Sequence, residues 1–241
     1  MFDTASASPI RPRTAAFDAA SERLRMLYPD YPRVYAVAAM ADQGKRRWWR
    51  LDDGVESGRI ETMYRRSAQE MRSDDAAAAV VATSLIHAIV GRVVASIALD
   101  GRAWDPGIDN LSIHMDSDGG IDWAGIDDTT VRVLPSDLLA GMPGTVTLPC
   151  ERAQSVWLAH RCLTSLDAVQ RRLIDTADFE YERFWSLVGE AVLGAATYVP
   201  ILARTTDTDA VRRGQGLLDA MTDVGVPVRR VGVAQLGKAC L

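Results

Sequence analysis

Two clusters of side chains in this 241-residue chain carry groups suited to binding or catalysis. The first is acidic, with Asp109, Asn110, Asp122, Asp127 and Asp128 falling in one short stretch. Carboxylates gathered this way serve acid–base or metal-assisted chemistry. The alternative is that they belong to turns and a solvated sheet face. The second cluster is basic and aromatic: Lys45, Arg46, Arg47, Trp48, Trp49 and Arg50 are consecutive. Cations beside indole rings suit an anionic aromatic ligand, held by charge and stacking. Against that stands a plainer arrangement, both tryptophans packed inward and the arginines solvated. Exposed, the same two tryptophans would anchor a protein partner. No P-loop, GxGxxG, HExxH or GxSxG motif is present. The three histidines lie too far apart in sequence to suggest a metal site by spacing. His160 and Cys162, two apart on a helix, point to different faces. A Ser/His/Asp arrangement is neither excluded nor supported.

The acidic cluster falls in Trp104–Leu134, the stretch with sustained period-two alternation. Ile108, Leu111, Ile113 and Met115 precede the turn Asp116-Ser117-Asp118-Gly119-Gly120, and Ile121, Trp123 and Ile126 follow it. Gly119-Gly120 supplies the positive φ of a tight turn, and the flanking aspartates favour it. A third strand is expected through Val131 and Val133, after Asp127-Asp128.

Helices must frame this sheet. Thr14 caps one that runs to about Tyr28, with Phe17, Ala20 and Leu24 on one face and Pro29 and Pro32 ending it. Val34–Met40 is a short apolar run, strand or helix. Ile60–Met71 is helical, and Ser73 with Asp74 caps a helix that is apolar nearly all round from Ala76 to Leu99, as a central helix should be. His87 inside it reads as a core histidine with its hydrogen bonds met. Pro135–Pro149 is rich in Gly and Pro and marks a boundary. Beyond it, Glu151–Ile174 is a long amphipathic helix, Asp178 caps another that Pro200 closes, and Thr208 or Asp209 caps the last before Gly225 and Pro227. The expected class is therefore α+β: mainly helical, with a small antiparallel sheet at about 104–134 and an all-helical C-terminal half. Residues 1–13 form a loose tail, 14–134 the helices and sheet, and 150–241 the helical half, as one continuous domain or two.

Composition narrows the function classes. With 48% apolar residues the chain can bury a substantial core. A net charge of −5 argues against a nucleic-acid footprint, which needs clustered Lys and Arg. Cys150, Cys162 and Cys240 are an odd and irregular set, so the expected compartment is a reducing cytoplasm. The first residues lack the apolar core of a secretory signal. Ala76–Leu99 is long enough to suggest a membrane span, but His87 and Arg92 within it favour a buried helix.

The order of elements, helices leading into a short sheet and then a helical half, resembles the FhuF-type ferric-siderophore reductases. It is also similar to the C-terminal domain of the IucA/IucC siderophore synthetases. Gly107-Ile108-Asp109-Asn110-Leu111-Ser112-Ile113 followed by Asp127-Asp128 resembles the synthetase segment with a His-Gly-Gln-Asn run on one strand and Arg-Asp on a later one. In the synthetases that pattern serves nucleotide and metal binding. Asn110 and Asp127 match it; the histidine is not matched, and Ile126 stands in place of the arginine. The tail, with Arg229 and Arg230 and then Gly237-Lys238-Ala239-Cys240-Leu241, resembles the reductase C-terminus. There a Cys-Cys pair and a Cys-x-x-Cys hold a two-iron, two-sulfur cluster. Here Val231-Gly232-Val233 replaces the pair and Cys240 alone remains.

The resemblance thus implies a siderophore-iron utilisation protein that binds a siderophore-like small molecule and has no cluster. Asp109, Asn110, Asp127, Asp128, Trp48, Trp49, Arg229 and Arg230 are its candidate ligand-binding residues, and Cys240 a candidate metal ligand. The alternative is a natural-product biosynthetic enzyme that uses the Asp109/Asn110/Asp127/Asp128 region on the same scaffold.

Overall fold

The computed structural model describes residues 14–44, 47–205 and 209–229. Helix α1, Ala15–Arg25, opens as expected: the Thr14 hydroxyl accepts from the Phe17 amide at 3.2 Å. It ends three residues before Tyr28, and buries Phe17 edge-on against Trp104 at 6.3 Å between ring centroids. A 3-10 turn at Pro32–Val34 leads into strand β1, Val37–Ala39, which resolves the ambiguous apolar run. Strand β2, Trp48–Arg50, is followed by helices α2, Leu51–Glu56, and α3, Arg59–Glu70.

The central helix runs from Asp74 to Asp100 in three segments: α4, Asp74–Ile86; a π-helical turn, His87–Gly91; and α5, Arg92–Asp100. Ser73 caps its start, accepting from the Ala76 amide at 3.2 Å, and Gly101 in the left-handed region ends it. A Cβ on Gly91 would lie 2.5 Å from His87 Nδ1, so only glycine lets the imidazole fold back there. His87 Nε2 then meets the Val34 carbonyl at 2.8 Å. A carbonyl only accepts, so Nε2 carries the proton. Burial, with Arg92 beside it, pushes the ring's pKa down and favours the neutral form.

Strand β3, Leu111–Met115, and strand β4, Ile121–Ile126, form the expected antiparallel hairpin. The sheet around it is mixed, with strand order β1-β4-β3-β2: β1 lies parallel to β4, and β2 antiparallel to β3. The expected third strand forms at Val131–Val133 (β5) but leaves this sheet and pairs in parallel with β6, Thr145–Thr147. The Asp128 carboxylate explains the departure. It accepts from the Thr130 amide at 3.0 Å and the Thr130 hydroxyl at 2.6 Å, turning the chain before a ladder can form.

Helices α6, Glu151–Ala177, α7, Tyr181–Leu202, and α8, Asp209–Asp223, complete the fold. Two expected boundaries shift. Asp178 caps the C-terminus of α6 at φ 49°, and does not open α7. Pro200 lies inside the last turn of α7, which continues to Leu202, and the Thr205 amide closes back onto the Pro200 carbonyl at 3.0 Å. The central helix packs on α3, α6, α7 and α8, and one apolar cluster runs from Phe17 and Trp104 through to Phe184, Trp185 and Leu217.

Among the described residues, two helices are long and apolar enough to cross a membrane by length and composition alone. In Asp74–Asp100, 78% of the apolar window is buried, as a core helix requires. The second, Tyr181–Leu202, is not evident from the sequence pattern and is 44% buried.

Candidate functional site

Register places three aromatic rings side by side on the outer face of the sheet. Trp48 of β2 pairs with His114 of β3, which pairs with Trp123 of β4. The Trp48 and His114 rings lie 5.1 Å apart, and those of Trp48 and Trp123 6.3 Å. A Cβ on Gly125 would strike the Trp48 ring at 2.9 Å and Met40 Sδ at 2.5 Å, so that glycine is the floor on which Trp48 lies. Beyond His114 the ladder slips: Met115 pairs with Ile121, and Asp122 is the extra residue. A bulge of this kind re-aims a side chain. It brings the Asp122 carboxylate onto the outer face, where Oδ1 sits 2.5 Å from His114 Nδ1.

Arg33 completes the group. Its Nη1 donates to Asp122 Oδ2 at 2.8 Å, and its guanidinium lies 5.0 Å from the Trp123 ring centroid. Burial raises the Asp122 pKa, but His114 and Arg33 together outweigh it and hold the carboxyl below its usual range. An ionised carboxylate only accepts, so Nδ1 carries a proton and donates it to Asp122. Among the described residues Nε2 has no hydrogen-bond partner, and 18% of the side chain is exposed. Beneath, Arg92 is buried and donates to the carbonyls of Val34, Arg33 and Asp122. Its removal from water pushes its pKa down to about 10, although Asp122 opposes this.

Trp48 also lines a cavity of about 470 Å³, together with Arg47, Trp49, Arg59, Met115, Asp116 and Ser117. Arg47 sits in the left-handed region at φ 66°, which is unfavourable for arginine. Its carbonyl accepts from the Met115 amide at 3.3 Å, which ties β2 to the hairpin. Arg59 projects from the first turn of α3. Neither arginine forms an ion pair among the described residues. The Asp116 carboxylate is occupied by the hairpin turn, accepting from the amides of Asp118 and Gly120.

The two tryptophans therefore divide between the faces, as consecutive strand residues must. Trp49 points inward, its ring so close to Gly54 that a Cβ there would approach it to 2.0 Å. It is 9% exposed, which removes it as an exposed docking anchor and leaves it as one wall of the cavity. Trp48 is half-buried on the opposite face.

The acidic cluster sits at the root of the same hairpin and is internally satisfied. Arg50 grips Asp52 through two hydrogen bonds, reaches Asp127 at 3.1 Å and donates to the Asp109 carbonyl. Arg161 holds Asp105 at 2.6 Å and Asp109 at 2.5 Å. Asn110 is buried, and its amide donates to the Asp105 and Asp128 carbonyls while its oxygen accepts from the Asp128 amide at 2.6 Å. Burial raises the Asp127 pKa; Arg50 lowers it, Asp52 raises it again, and the net shift is upward.

The remaining candidates lie elsewhere. Arg229 forms an ion pair with Asp219 of α8. Arg230 and Cys240, like Lys45 and Arg46, are outside the described residues. Cys150 is exposed where α6 begins and Cys162 is buried within it, its thiol pushed up by burial. Twelve residues of helix separate them by roughly 18 Å, so they cannot share a cluster. Among the described residues no three His, Cys, Asp or Glu side chains are grouped to hold a metal ion.

His114 and Arg33 are members of the outer-face group that no sequence motif singles out. The strand pattern held one signal for the first: if Leu111, Ile113 and Met115 face inward, His114 faces out. Comparison of the chain with protein-family models, with curated proteins and with solved structures finds no match in any of the three.

Proposed function

We propose that this chain binds an anionic, ring-bearing metabolite of the siderophore class in the cavity between β2 and α3, with Trp48 as the stacking surface. One observation carries the reading: Arg47 and Arg59 line a cavity with Trp48 and Trp49 and form no ion pair among the described residues, while Asp116 in the same lining is bonded to its own hairpin turn. Its volume of about 470 Å³ falls within the range of small-molecule sites. It suits one catechol- or hydroxamate-bearing arm. Two guanidinium groups beside indole rings favour a ligand that offers a negative charge and a flat face together. The resemblance to siderophore proteins supplies the chemical class. In this reading the chain holds its ligand without passing an electron to it, because Val231-Gly232-Val233 stands where the reductases carry a cysteine pair.

The test is a titration followed by tryptophan fluorescence, using 2,3-dihydroxybenzoate, its ferric complex and a ferric hydroxamate. Saturable quenching is expected with at least one of them. The double variant Arg47→Ala, Arg59→Ala should weaken that binding by about tenfold or more, as the loss of two charge-assisted contacts implies. Flat titrations with all three ligands would refute the proposal.

A further inference from the structure

We infer that His114 is a proton acceptor for the bound ligand, so that a weakly acidic hydroxyl is ionised as it enters the site. The inference rests on the binding reading above and extends it from recognition to proton transfer.

The case begins with orientation. Asp122 fixes the imidazole through Nδ1 at 2.5 Å, and Arg33 fixes Asp122 at 2.8 Å. Asp122 reaches the outer face because β4 carries one extra residue there, and the Arg92 guanidinium pins that bulge through the Asp122 carbonyl at 3.3 Å. A histidine serving only as packing needs no such succession. The arrangement leaves Nε2 without a protein partner among the described residues, while 18% of the side chain meets solvent. A neutral imidazole backed by a carboxylate is a base whose protonated form is stabilised in place.

Position relative to the cavity supports the assignment. Trp48 lines the cavity, and the His114 ring lies 5.1 Å from the Trp48 ring. His114 lies outside the cavity lining, one ring beyond Trp48, so a ligand anchored on Arg47 and Arg59 reaches it by extending across Trp48. The charged groups facing His114 are few. They are Asp122 on β4; Arg33, before β1, which is paired with the Asp122 carboxylate; and Arg92, on the central helix, which donates to the carbonyls of Val34, Arg33 and Asp122. Arg50, two residues beyond Trp48 on the same face of β2, is held by Asp52 and Asp127. In the step itself the ligand O–H bond breaks and an N–H bond forms at Nε2. The electron pair stays on the ligand oxygen, and the new imidazolium lies against the Asp122 carboxylate.

The probe is 4-nitrocatechol, whose visible absorbance reports its ionisation state. Bound to the full-length protein, its ionisation should shift toward lower pH by about one unit or more, the scale set by one nearby charge partner. His114→Gln should abolish the shift while tryptophan quenching still shows the probe bound. Asp122→Asn should reduce the shift by weakening the imidazolium's partner. Far-ultraviolet circular dichroism of both variants must match the parent protein. A shift that survives in correctly folded His114→Gln overturns the inference and leaves the binding reading intact. Failure of the parent protein to bind the probe overturns the inference, and flat siderophore titrations beside it overturn the binding reading as well.

Discussion

The two ends of the β3–β4 hairpin carry similar side chains and put them to opposite use. At the root, Arg50 and Arg161 face Asp52, Asp105, Asp109 and Asp127, and the charges are joined in short, mostly half-buried bonds. At the tip, Arg47 and Arg59 flank a cavity without a carboxylate partner among the described residues, and His114 is bonded at one ring nitrogen only. The root is richer in acidic residues, yet its polar atoms are already engaged, so a ligand would have to displace internal bonds to reach them. The tip has less charge and more unused bonding capacity. Unused capacity, more than the density of ionisable residues, marks where a ligand gains free energy by arriving.

The strongest way to sharpen this contrast is Asn110→Ala. Asn110 is 6% exposed, and its loss strands the Asp128 amide and the Asp105 and Asp128 carbonyls. A cost of about 2–4 kcal/mol is expected from leaving such buried groups unpaired. Urea unfolding would measure it, with ligand binding near normal in the protein that remains folded. If Asn110→Ala proves stable within about 0.5 kcal/mol and abolishes tryptophan quenching, the root is the binding site and the assignment of roles must be reversed.

Much of the helical framework could be read from spacing and caps. Thr14 and Ser73 cap the helices expected of them, and the all-round apolar pattern from Ala76 marked the central helix. The Asp-Gly turn marked the hairpin. The partners of that hairpin were not legible. β1 and β2 have three residues each, too few for alternation to show, and the parallel placing of β1 beside β4 depends on contacts far apart in sequence. The candidate site suffered from the same limit. A carboxylate on a strand gives no sign in the sequence of whether an arginine such as Arg50 or Arg161 will close on it. Asp122 was visible as one of several aspartates, but its distinction comes from a one-residue bulge, a property of the register. His114 was one histidine among three widely separated ones until the fold laid it between Trp48 and Trp123.

Acid titration offers a second, smaller test, because Asp122 at the tip and Asp127 at the root shift in opposite directions. Asp122 has its pKa lowered in the folded protein. It therefore contributes stability above its unfolded value, and that contribution is lost as pH falls through the folded value. Asp127 has its pKa raised, so the folded state binds the proton more tightly and the contribution declines as pH rises through the window just above the ordinary carboxylate value. Asp122→Asn should cost about 1 kcal/mol at neutral pH and flatten the loss of stability between about pH 5 and pH 3. Asp127→Asn should leave that acid slope in place. Thermal melts across the range would read both, and equal flattening by the two variants would erase the distinction between root and tip.

The smallest expected effect on stability discriminates best. Arg47 and Arg59 are exposed and make no ion pair among the described residues, so replacing both with alanine should change unfolding free energy by no more than about 0.5 kcal/mol. Arg161→Ala is the matched control from the root. It leaves Asp105 and Asp109 without their partner, and Asp105 has only 14% of its side chain exposed, so a loss of about 1–3 kcal/mol is expected. Ligand affinity should follow the reverse order, falling for the tip variant and holding for the root variant. Salt gives an independent reading of the same difference. If two solvated guanidinium groups draw in the anionic ligand, raising ionic strength from about 0.05 M to 0.5 M should weaken binding to the parent protein toward that of the double variant, since the screening length shortens to a few ångströms. The double variant itself should respond little. A salt response of equal size in both proteins would mean that the ligand's charge is met elsewhere, and the unpaired arginines would then be no more than solvated surface.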